Sequence, residues 1–130
     1  MGLTPDTLTF DCAVPLDVAT FWAGALGYEI DHDPDDPDDD GAFLRDPTGR
    51  TPGMYFQSVP EAKTVKNRVH LDVRPTGSMA AEVERLLALG ATVRGYIEEG
   101  GSFWTQMRDV EGNEFCVLRG PEDGWSPGEL

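Results

Sequence analysis

The sequence predicts an α+β domain made of two βαβββ modules, on three observations. Two landmarks recur at one spacing: Leu26-Gly27 returns as Leu89-Gly90, and Asp46-Pro47-Thr48-Gly49 returns as Asp109-Val110-Glu111-Gly112, each 63 residues further on. A fixed period of that length marks a duplicated unit before any local reading. Val18, Phe21, Trp22 and Ala25 then recur at i, i+3, i+4 and i+7, the stripe of an amphipathic helix, and Val83, Leu86 and Leu87 outline a second one. Around both helices the segments are short, β-prone and alternating.

In the first module, residues 8–12 read as a strand and 16–26 as the helix. Asp17 sits near the helix start, where a carboxylate suits the unpaired N–H groups, and Gly27 fits a left-handed C-cap. Residues 28–31, 42–45 and 54–58 read as three further strands, with the Asp46 to Gly49 segment as a turn. The second module repeats the order: a strand over 68–74, a helix over 78–89 capped by Ser78 or Thr76 and ended by Gly90, then strands over 91–96, 103–108 and 114–118. The chain is thus a single domain over 1–130, with module 1 at about 7–58, a linker at 59–67, module 2 at about 68–118 and an irregular, loosely ordered tail at 119–130. A ferredoxin-like α+β domain is the nearest alternative.

Composition narrows the function classes. Acidic residues number 24 against 10 basic ones, a net charge of −14 that repels phosphate backbones and argues against nucleic acid. No apolar run approaches the ~18 residues of a membrane span, and residues 1–6 lack the basic and apolar regions of a signal peptide, so the expectation is a cytoplasmic protein without membrane contact. Two cysteines, Cys12 and Cys116, read as thiols rather than a disulfide framework. Residues 31–40 hold seven aspartates. Asp36 to Gly41 imitates the opening of a calcium loop, but Pro47 stands where the twelfth-position Glu belongs, so the run reads as a solvated loop.

Strand alternation sorts the chemistry-bearing residues by face. With Leu8 and Phe10 packed under the helix, Thr9 and Asp11 face the other way. With Val69, Leu71 and Val73 packed inward, His70, Asp72 and Arg74 share the opposite face; Phe115 and Val117 likewise leave Glu114, Cys116 and Leu118 on it. Cys12 falls on the helix side. An imidazole beside a carboxylate suits a base or a hydrogen-bond reader, and Arg74 is placed to neutralise Asp72. Trp104 and Tyr55 are candidates for contact with a flat ligand, whereas Trp22 reads as helix core. Cys116 reads as a buried filler, since no base and orienting group accompany it.

The duplicated order, with Phe21-Trp22 and Leu26-Gly27 in the first helix, resembles the vicinal oxygen chelate superfamily (glyoxalase, bleomycin resistance protein, dioxygenase). Val69-His70-Leu71-Asp72-Val73, Ala88-Leu89-Gly90-Ala91 and Asp109-Val110-Glu111-Gly112-Asn113-Glu114-Phe115 look like its second-module signatures, closest to the glyoxalase-like branch of unassigned function. The resemblance implies a cup-shaped mixed sheet with helices on the convex face, the site in the cup, and a homodimer. Metal enzymes of the superfamily take ligands from four places, which here hold Thr9 (or Thr7), Tyr55, His70 and Cys116. Only His70 matches well, so no metal or other cofactor is expected, and no residue is assigned a catalytic role. The expected ligand-binding set is His70, Asp72, Asp11, Thr9, Tyr55, Trp104 and Cys116. The function implied is binding of a small organic ligand, with drug sequestration as in the bleomycin-resistance relatives, acidic dimers that hold a cationic drug. The alternative is a metal-dependent lyase, isomerase or dioxygenase.

Overall fold

The computed structural model describes residues 2–32, 35 and 41–128. The reading of residues 31–40 as a solvated loop therefore lies largely outside the described residues. The chain divides into two compact units, Met1–Thr64 and Val65–Leu130. The first holds β1 (Thr7–Cys12), α1 (Pro15–Leu26), β2 (Glu29–Asp31), β3 (Gly41–Arg45) and β4 (Gly53–Ser58), in sheet order β1-β4-β3-β2. The second holds β5 (Asp72–Val73), α2 (Met79–Ala88), β6 (Thr92–Glu99), β7 (Ser102–Arg108) and β8 (Glu114–Leu118), in order β5-β8-β7-β6. In each, the first strand pairs parallel with the last and the other ladders are antiparallel. The expected pair of βαβββ units is present, and the β-α-β-β-α-β order of a ferredoxin-like domain is not. No helix among the described residues is long and apolar enough to cross a membrane.

Local chemistry accounts for the elements. In α1, Pro15 occupies the first turn and Asp17 follows it, while Gly27 at φ 73° donates its N–H to the Ala23 carbonyl. The helix buries Val18, Ala19, Phe21 and Trp22 against Ala42, Leu44, Met54 and Phe56 of the sheet. Phe10 joins that core, its ring centroid 5.2 Å from Phe56 and 6.4 Å from Trp22. Ser78 is the cap of α2, accepting from the Ala81 N–H at 3.2 Å. Met79 and Leu86 of this helix, with Met107, Phe115 and Val117, make the second core.

The repeated turns share one device. Asp46 Oδ1 accepts from the Thr48 N–H and hydroxyl at 2.8 and 2.7 Å, and Oδ2 from those of Thr51 at 3.1 and 2.9 Å. Asp109 Oδ1 accepts from the N–H groups of Glu111 and Asn113, both at 2.9 Å, and Oδ2 from the Asn113 side chain. The repeat spacing is the spacing of these two carboxylates, each folding a β-hairpin connection around itself.

Three expectations are corrected. The strand read over 68–74 pairs only at Asp72–Val73. Its approach is tied by side chains instead: the Asn67 N–H donates to Glu114 Oε2 at 2.9 Å and Asn67 Nδ2 to Asn113 Oδ1 at 3.2 Å. Val69, read as packed, is 77% exposed on that approach. The strand read over 91–96 runs on to Glu99, because Gly100 and Gly101, at φ 61° and 79°, make a two-residue hairpin turn that needs both residues left-handed. The tail is tied down at least to Trp125. It forms a 3-10 turn at Pro121–Asp123, Asp123 Oδ2 accepts from the N–H groups of Met79 and Gly120 at 2.7 and 2.8 Å, and a Cβ on Gly120 would overlap the Gly77 carbonyl oxygen.

Candidate functional site

The second unit carries a cavity of about 410 Å³ built by one face of its sheet. Register explains who meets there. Asp72 pairs with Cys116 across the parallel ladder, Cys116 with Gln106, and Leu118 with Trp104, so these side chains share the face turned from α2. His70 enters from the approach to β5, and Arg74 and Ser102 complete the lining. Four of the seven expected ligand-binding residues, His70, Asp72, Trp104 and Cys116, therefore come together. The other three belong to the first unit. There Thr9 is the ladder partner of Tyr55, Asp11 Oδ1 accepts from Gln57 Nε2 at 2.6 Å, and the Tyr55 ring covers Gly41.

Three groups dominate the polar end. His70 Nδ1 stands 3.4 Å from Asp72 Oδ1, with both side chains partly open to solvent. Cys116 is buried at 8% exposure. Burial raises its thiol pKa, and the Asp72 charge and hydrogen bond raise it further; Lys66 and Arg94 pull the other way with less effect. A thiol kept protonated serves as a donor to Asp72 and is a poor nucleophile. The N, O and S donors of His70, Asp72 and Cys116 lie within 4.8 Å of one another. In type and convergence this trio fits a borderline-soft cation such as zinc. Counting only the four family places overlooks it, because Asp72 is none of them.

Arg74 does not neutralise Asp72 as expected. Its Nη1 donates to the Arg119 carbonyl at 2.8 Å, and its guanidinium carbon sits 4.1 Å above the centre of the Trp125 ring. Glu114 lies on the expected face but is buried and committed to Asn67. Gln106 and Ser102 were missed, although Trp104 and Gln106 alternate on one strand and the signal was available. Trp22 is core, as read, at 1% exposure.

The first unit's counterpart of Cys116 is Tyr55. Asp72 pairs with Cys116 as Thr9, 63 residues earlier, pairs with Tyr55, and Gln106 pairs with Cys116 as Phe43, again 63 residues earlier, pairs with Tyr55. Where the second unit presents a thiol, the first presents a phenol.

Residues 7–118 match the model of a family described as a glyoxalase-like domain. No curated protein matches the chain. Among solved structures, the chain is similar to the fosfomycin resistance protein FosX from Listeria monocytogenes, complexed with Mn(II) and dihydroxypropylphosphonic acid, at TM-score 0.68 and 12% identity over 92% of this chain and 93% of that one. It is similar to a glyoxalase/bleomycin resistance protein/dioxygenase family enzyme from Burkholderia phytofirmans PsJN at TM-score 0.66 and 15% identity, covering 86% and 94%. A glyoxalase-related enzyme from Fulvimarina pelagi gives 0.65 and 16%, covering 93% and 90%. At these identities the likeness is one of fold.

Proposed function

Because this chain belongs to the glyoxalase-like domain family, we propose that its second unit binds a small organic molecule in the cavity beside Trp104 and sequesters it without a metal. One observation carries the reading: His70, Asp72, Gln106 and Cys116 converge on a cavity that Trp104 and Leu118 line with apolar surface. The volume of about 410 Å³ falls in the small-ligand range. Trp104 offers a flat wall, while His70 and Asp72 read the ligand's polar groups. Thr9 and Tyr55, at the first unit's two ligand places, are poor ligands for a divalent ion, which favours binding without one. A homodimer belongs to the same reading and follows the family resemblance; a cytoplasmic location follows the reading of Cys12 and Cys116 as thiols.

A second reading, a metal-dependent lyase, isomerase or dioxygenase, is favoured by the convergence of three donors within 4.8 Å. His70, Asp72 and Cys116 would hold the ion, which when bound would polarise a substrate oxygen as a Lewis acid.

The test is a thermal-shift screen of small organic molecules, followed by titration of the hits into wild type and His70→Ala. Losing a hydrogen bond to a charged or polar reader should weaken binding about ten- to hundredfold, while Glu84→Ala on exposed α2 leaves affinity unchanged. Equal affinity for wild type and His70→Ala would place the site elsewhere. About one zinc or manganese ion per chain on elemental analysis, lost in His70→Ala, would replace the first reading with the second.

A further inference from the structure

The cavity does not share the molecule's acidic charge: its lining holds one carboxylate, Asp72, and one guanidinium, Arg74. The chain carries 24 acidic and 10 basic residues, yet Arg74 lines the cavity, and Lys66 and Arg94 lie close enough to act on the Cys116 thiol. Asp72, the one carboxylate in the lining, already faces His70 at 3.4 Å and the Cys116 thiol. Arg74 is answered differently. It meets a carbonyl oxygen and an aromatic face, and among the described residues no carboxylate pairs with it. A guanidinium has five N–H donors, and these contacts leave most of them, and the full charge, available.

Both contacts come from residues beyond Leu118, where the family match ends. Arg119 gives its carbonyl and Trp125 its ring. That segment is anchored on the start of α2: Asp123 takes the N–H groups of Met79 and Gly120, the Glu122 N–H donates to the Gly77 carbonyl at 3.2 Å, and the Trp125 N–H to that of Gly120 at 3.3 Å. The bare backbone of Gly120 is what lets the two segments approach.

We propose that residues 119–125 form a clamp fixing Arg74 as an anion reader, and that the cavity's ligand is a small aromatic carboxylate, its ring on Trp104 and its carboxylate on Arg74. This rests on the binding function proposed above and names its ligand class. Trp125 is a positioning residue: it holds the guanidinium by cation–π stacking and acts on the ligand only through it. The planar fork of Arg matches a carboxylate with two parallel hydrogen bonds, which a held guanidinium forms at less entropic cost.

The test uses three probes with one ring system and three charges, indole-3-acetate, indole-3-acetamide and tryptamine, titrated calorimetrically into the whole chain. Indole-3-acetate should bind tightest. Arg74→Ala should lower its affinity about tenfold, to the level of the amide. Trp125→Ala should lower it about threefold and leave the amide unchanged, and Trp125→Phe should restore it. Equal losses for acid and amide in Trp125→Ala would overturn the clamp, since a merely structural role lowers both. Acid and amide bound alike by wild type, or tryptamine bound best, would overturn the carboxylate and leave small-molecule binding standing. Failure of all three probes to bind would overturn this inference, while the thermal-shift screen decides the binding function separately.

Discussion

At Asp46 four donors surround one carboxylate, and its pKa falls from 3.8 to about 2. The Thr48 hydroxyl is the largest cause and the Thr48 N–H the next; desolvation opposes them, and Thr51 adds to the lowering. A group whose folded pKa is depressed stabilises the fold above its unfolded pKa, and that stability is lost as pH falls through the folded value. The thermal midpoint should therefore drop between pH 3.8 and about 2, and Asp46→Asn should flatten that part of the profile. An unchanged profile in the variant would show that the carboxylate's charge is irrelevant to the turn. The same residue scale marks how far sequence reading reaches. Alternation put His70, Asp72 and Cys116 on one face because a side-chain period of two decides faces. It said nothing of which residue pairs across a ladder, so Gln106, opposite Cys116, is absent from the expected site.

Among elements, the helices were legible and the strand β5 was not. Both helices announced themselves through apolar periodicity with a glycine just past the end, signals contained within a dozen residues. β5 shrank because Glu114 and Asn113 bind Asn67 with side chains, a contact between distant segments that no local pattern encodes. The clamp was hidden for the same reason: Asp123 lies 44 residues from the Met79 N–H it accepts. It supplements Ser78 at the start of α2, and caps of this kind typically contribute about 0.5–2 kcal/mol. Asp123→Ala should lower unfolding free energy in urea by about 1 kcal/mol. It should also add to the effect of Ser78→Ala, since the two side chains satisfy different N–H groups. A double variant no worse than Ser78→Ala alone would remove Asp123 from the cap.

For the whole molecule, family resemblance leads to the expectation of a homodimer. Light scattering should return twice the 14.2 kDa chain mass at micromolar concentration, and a single-chain mass across a wide range would end it. The duplication that was readable from two turn aspartates has a topological result. Every described strand ladder closes within one half: β1 with β4 and β5 with β8, with no strand lent across. Residues 60–66, which join the halves, are exposed and take part in no ladder. Severing the chain there would interrupt a tether while leaving both hydrogen-bonded sheets whole. Each half keeps its own described strand pairings, and the residues lining the cavity, His70 and Arg74 among them, all belong to the second.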